Sequence, residues 1–372
     1  MSLRRPAAVD MSSDWNLIEL GDHGVLRLRG PDGVRFLQGQ LSNNVEQLSA
    51  ERSQLAGYHN PQGRAIAVLR LVHLAPEDLI ALLPRELVAP VAARLGKFVL
   101  RSKVKITDES SSWAIKGLVA PHVQGEPPDS AMAQGGSWAA RLFEEASSRA
   151  REAGESSLAA AQLEDEGSIV GLPGTSALML PDTVNGQSLS NTTAIVRVGA
   201  TPARWLIISP PDQPAPIGGC VRGTRDEWRL LDIADGLPQV YAATSEEFVA
   251  QMLNLDVLGG IAFDKGCYTG QEVIARAHYR GRVKRRMQRF WSRHPARLGI
   301  ADSGQLADGR SFKVVEAVQL ANGHCEFLAV APLPENAEVT GEPSGTGSQP
   351  TQAGAAVVLD VEALPLPYDL PE

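Results

Sequence analysis

Asp264-Lys265-Gly266-Cys267-Tyr268-Thr269-Gly270-Gln271-Glu272-Val273-Ile274-Ala275-Arg276 is the densest stretch of chemistry in this chain. Thr269-x-x-Glu272 has the spacing of a capping box, so a helix is expected to begin near Gly270. Glu272 and Arg276 then form an i, i+4 pair on that helix. Cys267 falls just ahead of the helix start, where the macrodipole is positive, and Lys265 is two residues away. Both influences favour a thiolate, so Cys267 is expected to be more acidic than a free thiol. Gly266 and Gly270 allow tight turns and a close approach of backbone to a ligand. The same spacing admits a plainer reading, in which Cys267 is a small buried residue behind a capped helix. A cysteine-protease arrangement would need His59, His73 or His278 brought to the thiol in space, and no local signature marks any of them.

Downstream, from Val273 to Ala301, there is no Asp or Glu, while Arg276, Arg280, Arg282, Lys284, Arg285, Arg286, Arg289, Arg293 and Arg297 accumulate. In a chain of formal net charge −8 this is a strong local departure. It reads either as a solvated strand face joining two domains or as a site for an anion such as a polyglutamate tail, a phosphate or an RNA backbone.

Upstream, Gly24 to Gly30 alternates as a strand, and Asp32 is placed to cap a short helix through Phe36 and Leu37. Strands are expected at Ala65–Leu74, at Asp78–Leu83 and at Val99–Ile106, the last carrying Arg101, Lys103 and Lys105. A helix is expected over Pro84–Leu95. Residues 122–165 have linker composition, with an Ala/Arg/Glu part, Trp138–Glu152, that can be an exposed helix. Trp205–Ile208 reads as a buried strand. Thr244-Ser245-Glu246-Glu247 fits a second capping box, with a helix expected through Phe248 and Met252. After Arg289 the pattern turns to strands: Ser311–Leu320, a turn at Ala321-Asn322-Gly323, Cys325–Ala331, and a last strand at Ala355–Val361.

The length of 372 residues implies two or three domains. The negative charge argues against general nucleic-acid binding. No apolar run approaches the roughly 20 residues that span a bilayer, and Met1–Asp10 has no apolar segment of the secretory type, so a cytoplasmic protein without a membrane partner is expected. The three cysteines, Cys220, Cys267 and Cys325, lie far apart. They argue against a disulfide framework and cannot supply the four thiolates that usually hold an iron–sulfur cluster. No permanent metal is therefore expected, with Cys267 at most a transient ligand.

Lys265-Gly266-Cys267-Tyr268-Thr269-Gly270-Gln271-Glu272, preceded by Asn254-Leu255-Asp256 and followed by Arg276, resembles the signature of the YgfZ family. Gly30-x-Asp32-x-x-x-Phe36-Leu37-Gln38-Gly39-Gln40-Leu41-Ser42-Asn43 resembles that family's N-terminal motif, which is shared more widely with aminomethyltransferases, and Asp235-Gly236-Leu237-Pro238 also fits. The resemblance covers roughly residues 15 to 365. It implies an α+β, aminomethyltransferase-like fold, with two modules that are ferredoxin-like in part around a folate-sized hole and a C-terminal antiparallel β-barrel. Modules are expected over 13–110, 111–285 and 286–372, the second containing the 122–165 insertion and the Lys-Gly-Cys motif. The resemblance implies tetrahydrofolate, possibly polyglutamylated, as the ligand, and iron–sulfur enzymes or cluster carriers as partners, tRNA-modifying enzymes included. It makes Cys267 and Lys265 the key functional residues, and Tyr268, Gly270, Gln271, Glu272, Arg276, Gln40 and Asn43 the expected ligand-binding set.

The alternative is a folate-dependent aminomethyltransferase or another one-carbon transfer enzyme. That chemistry wants a carboxylate near the folate nitrogen. In the transferases an acidic pair follows the Gly of a turn that here reads Asn60-Pro61-Gln62-Gly63, yet Arg64-Ala65-Ile66-Ala67 follows, and no Asp or Glu occurs between Glu51 and Glu77. Ala234 stands where the transferases carry a Glu. A carboxylate from elsewhere in the chain could still enter the site, but the expectation is an accessory factor without transferase activity.

Overall fold

The computed structural model describes residues 15–121, 168–169, 178–190, 192–213, 220–281, 283–334 and 358–371. The helix expected at Trp138–Glu152 lies outside them. By their contacts the described residues fall into two units: one drawn from Met1–Leu20, Ala50–Ser53 and Ser111–Gly223, the other from Gly21–Ser49, Gln54–Ser110 and Thr224–Glu372. Residues 224–285 thus group with 21–49 and 54–110.

The first unit is built on a six-stranded sheet in the order Gln187–Ser190, Thr193–Gly199, Arg204–Ser209, Ala114–Val119, Asn16–Glu19 and Val221–Arg222. Its pairings are antiparallel except the last. Trp205 fixes its core with Leu118, Leu180, Ile195 and Ile207. The indole has a polar end that needs a partner when buried, and its Nε1 donates to the Pro181 carbonyl at 3.0 Å.

The second unit carries a five-stranded antiparallel sheet in the order Gln54–His59, Ala65–Ala75, Asp78–Pro84, His23–Arg29 and Lys105–Asp108. Helix α1 (Gly33–Gln38) follows the strand His23–Arg29. Helix α2 (Arg85–Val99) turns Leu87, Val88, Val91 and Leu95 inward against the sheet, the spacing of an amphipathic helix. Two local expectations are corrected here. Asp32 stands at the N-cap position of α1 but does not cap it; its carboxylate accepts the main-chain N–H of Lys103 at 2.6 Å. At the same crossing, a Cβ on Gly30 (φ 129°) would lie 2.2 Å from the Lys103 carbonyl, so only glycine fits. The strand expected from Val99 starts only at Lys105, because α2 runs on to Val99 and stops at Leu100, whose φ is positive (42°).

The helix expected after Thr244-Ser245-Glu246-Glu247 does not form. These residues run beside the start of the strand Ala65–Ala75: Glu246 N–H donates to the Ala65 carbonyl, Ala65 N–H to the Phe248 carbonyl, and Ser245 Oγ to the Ile66 carbonyl. Only Ala250–Leu253 is helical, as a 3₁₀ turn. A capping box that sequence reading passed over, Thr224 with Glu227, does open helix α3 (Arg225–Ala234).

The C-terminal sheet has the order Val358–Leu359, Ser303–Leu306, Ser311–Gln319, Cys325–Pro332, Arg285–Ser292 and Val361–Leu364. The two edge strands are separated in sequence by Asp360 alone, so the sheet curls until it is nearly closed. What reads as one last strand is thus two, one for each edge. Phe290, Phe312, Phe327 and Val314 fill the interior. The expected turn at Ala321-Asn322-Gly323 is present, with Leu320 and His324 bonded across it.

Candidate functional site

The motif segment runs along the N-terminal loop that follows α1. Ser42 is buried and ties the two together: its Oγ donates to the Gly260 carbonyl at 2.7 Å and accepts the Gly57 N–H at 2.9 Å, and its carbonyl accepts from Ala262. Asn43 Nδ2 donates to the carbonyls of Leu55 and Gly259 at 2.6 and 2.8 Å. Lys265 enters the same loop, and its Nζ donates to the carbonyls of Gln38, Leu41 and Asn43 at 2.7, 2.6 and 2.8 Å. Burial pushes its amine down to about 8, against which the three acceptors favour the charged form. The ammonium also lies 5.0 Å from the centre of the Tyr268 ring. Its three donors therefore point into the 38–43 loop.

Cys267 is exposed, whereas Cys325 is buried and Cys220 half-buried. Burial pushes the thiol of Cys325 up to about 11 and raises that of Cys220. The plainer reading of Cys267 as an interior residue is thus excluded.

Helix α4 (Gln271–Tyr279) starts where the spacing predicts, but the Thr269–Glu272 box does not cap it. Gly270 is the N-cap, at φ 84°, and a Cβ there would lie 2.5 Å from the Asn60 carbonyl. The helix start is pressed against the Asn60–Gly63 turn, a constraint that admits glycine and displaces the capping threonine. Gln271 Nε2 reaches back to the Lys265 carbonyl at 3.5 Å, and Glu272 and Arg276 are exposed on α4.

The Tyr268 hydroxyl, Gln40 Oε1 and both ring nitrogens of His59 are buried polar atoms that have no partner. His59 is 1 % exposed, and burial drives its imidazole down to about 3. The His59 and Tyr268 rings are 6.5 Å apart, and burial raises the Tyr268 phenol to about 12. His278 stacks on Phe263 at 3.7 Å. The sequence marks His59 only as a possible partner for the thiol, and Ser42 only as a member of the N-terminal motif, not as a site residue.

Glu246 is not marked as a site residue either. Its carboxylate accepts from Asn60 Nδ2 at 3.1 Å and pairs with Arg94, so an acidic group does reach the turn that lacks one in sequence. The basic run divides. Arg286 is buried against Asp256 at 2.9 Å, and Arg289 pairs with Glu326 at 2.6 Å. Arg276, Arg280 and Lys284 stay exposed. Among the described residues no group of three or more His, Cys, Asp or Glu side chains is placed to hold a metal ion, and no helix is long and apolar enough to cross a membrane.

No family model matches the chain. A curated relative from Yersinia pseudotuberculosis (serotype IB, strain PB1/+), named tRNA-modifying protein YgfZ, is 30 % identical over 338 residues, covering 88 % of this chain and 87 % of the relative. The chain belongs to the YgfZ family. A YgfZ relative of the same name from Cronobacter sakazakii is 28 % identical over 380 residues, covering 99 % and 97 %. Among solved structures, the glycine cleavage system aminomethyltransferase T from Bartonella henselae superposes with a TM-score of 0.59 at 13 % identity, over 87 % of this chain and 79 % of that one. This YgfZ-family chain therefore has the α+β aminomethyltransferase-like fold expected from its motifs, with a barrel-like sheet at the C-terminus.

Proposed function

We propose that this chain is a tetrahydrofolate-binding protein that supports assembly or repair of iron–sulfur clusters in client enzymes, tRNA-modifying enzymes among them, from the cytoplasm. The observation that carries the reading is the contrast within the motif: Cys267 is exposed while Lys265 and Tyr268 on either side are buried. A thiol displayed on an anchored loop suits a contact with a protein client or a transient iron or sulfur ligand. Membership in a family whose members are named tRNA-modifying proteins supports the choice of clients.

The residues fit a folate. Gln40 Oε1 and the Tyr268 hydroxyl are buried polar atoms with no partner, as a polar heterocycle would require. Exposed Arg276 and Arg280 can receive a polyglutamate tail. When bound, tetrahydrofolate can carry a one-carbon unit. The aminomethyltransferase alternative draws on Glu246, but that carboxylate is already held by Arg94 and Asn60, a poor state for a group meant to move a proton.

The test is calorimetry with tetrahydrofolate on the folded protein, together with complementation of cluster-enzyme activity by Cys267→Ser. The expected outcome is saturable binding and a loss of complementation with the fold intact. Absence of binding removes the folate part, and full complementation by Cys267→Ser removes the thiol part. Turnover of a lipoyl-linked aminomethyl substrate at about 1 s⁻¹ or more would establish the transferase instead.

A further inference from the structure

We propose that Lys265 is a positioning residue: its ammonium is an internal cation, caged by main-chain oxygens, that holds the loop displaying Cys267 and takes no part in chemistry at the thiol. The inference rests on the reading of Cys267 as the functional side chain.

A lysine ammonium has three N–H donors and no acceptor. At Lys265 there are three contacts, to the carbonyls of Gln38, Leu41 and Asn43, all between 2.6 and 2.8 Å. The donors are therefore saturated. The Tyr268 ring covers a further side at 5.0 Å, a cation–π geometry. Lys265 is 9 % exposed, so swinging the ammonium toward Cys267 would break three bonds and leave the three carbonyls without their donor.

The cage joins segments more than 220 residues apart in sequence. Ser42 to Gly260, Ala262 to Ser42 and Asn43 to Gly259 lace the same two segments. Cys267 emerges two residues beyond this clasp and is exposed. The arrangement explains why a lysine rather than an arginine is wanted. Three carbonyls converge on one point, which suits a compact ammonium and not a planar guanidinium.

The test uses the full chain with Lys265→Met, which keeps the apolar stem, and Lys265→Ala, which opens the channel to a small amine. Amide hydrogen exchange across 38–43 and 259–267 is expected to rise about tenfold in both variants, as local opening becomes easier. The limiting rate of Cys267 alkylation by iodoacetamide should rise about threefold, with the pH of half-maximal rate unchanged. Propylammonium chloride, which replaces the missing stem and charge, should restore both readings in Lys265→Ala but not in Lys265→Met, and tetramethylammonium should restore neither. Were Lys265→Met to move the pH of half-maximal alkylation while leaving loop exchange as in the parent protein, Lys265 would be a partner of the thiol and the proposal would be wrong. Failure of propylammonium to restore Lys265→Ala would overturn it equally. Should Lys265→Ala not fold, the exchange and pH profile of Lys265→Met decide alone. Because no folate or client is needed, a failure here is distinguishable from a failure of the binding reading.

Discussion

Two buried cations join remote parts of the second unit, and they are held differently. Arg286, on the first long strand of the C-terminal sheet, meets a carboxylate: Asp256 at 2.9 and 3.0 Å, with the Gln251 carbonyl and Asn254 Oδ1 alongside. Lys265, in the motif loop, donates to three neutral carbonyl oxygens. The first arrangement pairs charge with charge. The second solvates a charge without cancelling it, so the loop answers to the protonation of one amine. The difference teaches which junction serves the fold and which serves the site. The barrel is locked to Asn254-Leu255-Asp256 by an ion pair, while the displayed thiol hangs on an adjustable clasp.

The largest expected effect breaks the first junction. Arg286→Ala leaves the largely covered Asp256 carboxylate unpaired, and the cost is expected to be about 3 kcal/mol in a denaturant titration, the lower end of the range for splitting a buried pair. Joint replacement of Arg286 and Asp256 by apolar residues should recover much of that loss.

The second junction is sharpened by pH. The amine of Lys265 is lowered to about 8 in the folded state from 10.5. Between those values the unfolded chain binds the proton more tightly, so stability rises with pH there. The rise is complete near pH 10.5 and absent below pH 8. Its size is at most about 3 kcal/mol. Subtracting the stability profile of Lys265→Met from that of the parent chain should isolate this rise, and a flat difference between pH 8 and 10.5 would contradict it.

At pH 7, Lys265→Met is expected to cost about 1–3 kcal/mol, because three buried carbonyls lose their donor. Thermal melting compared with Arg286→Ala would rank the two junctions, and a larger loss at Lys265 would reverse the ranking.

The smallest effect on stability belongs to the exposed end of the basic run. Arg276→Ala and Arg280→Ala should each change stability by less than about 0.5 kcal/mol. Each should still weaken binding of a polyglutamylated folate more than of the monoglutamate, measured by calorimetry. Equal weakening of both ligands would place the tail elsewhere.

Several features were legible in the chain because local chemistry fixes them. The strands at Ala65–Leu74 and Asp78–Leu83 carry apolar runs that admit little else, and the Ala321-Asn322-Gly323 turn follows from its glycine. The start of α4 near Gly270 was legible too, although its supposed reason, a capping threonine, was wrong. The three capping failures have one cause. Thr269, Thr244 and Asp32 each carry a capping signature, and in each case the backbone or side chain has a competing partner from far away in sequence: the Asn60 carbonyl crowding Gly270, the strand Ala65–Ala75, and the Lys103 N–H.

Residue order alone carries the family, the α+β class, the absence of a carboxylate after Gly63, and the motif that presents Cys267. These depend on residue identity and short-range spacing, which the chain records directly. Folding in three dimensions exposes Cys267 and cages Lys265, brings Glu246 to the Asn60 turn, and divides the basic run into paired and exposed parts. Those outcomes depend on which distant donor meets which acceptor. A buried ammonium or guanidinium takes whatever oxygen the fold brings within about 3 Å, and nothing in the spacing of Gln38, Leu41, Asn43 and Lys265 states that meeting in advance.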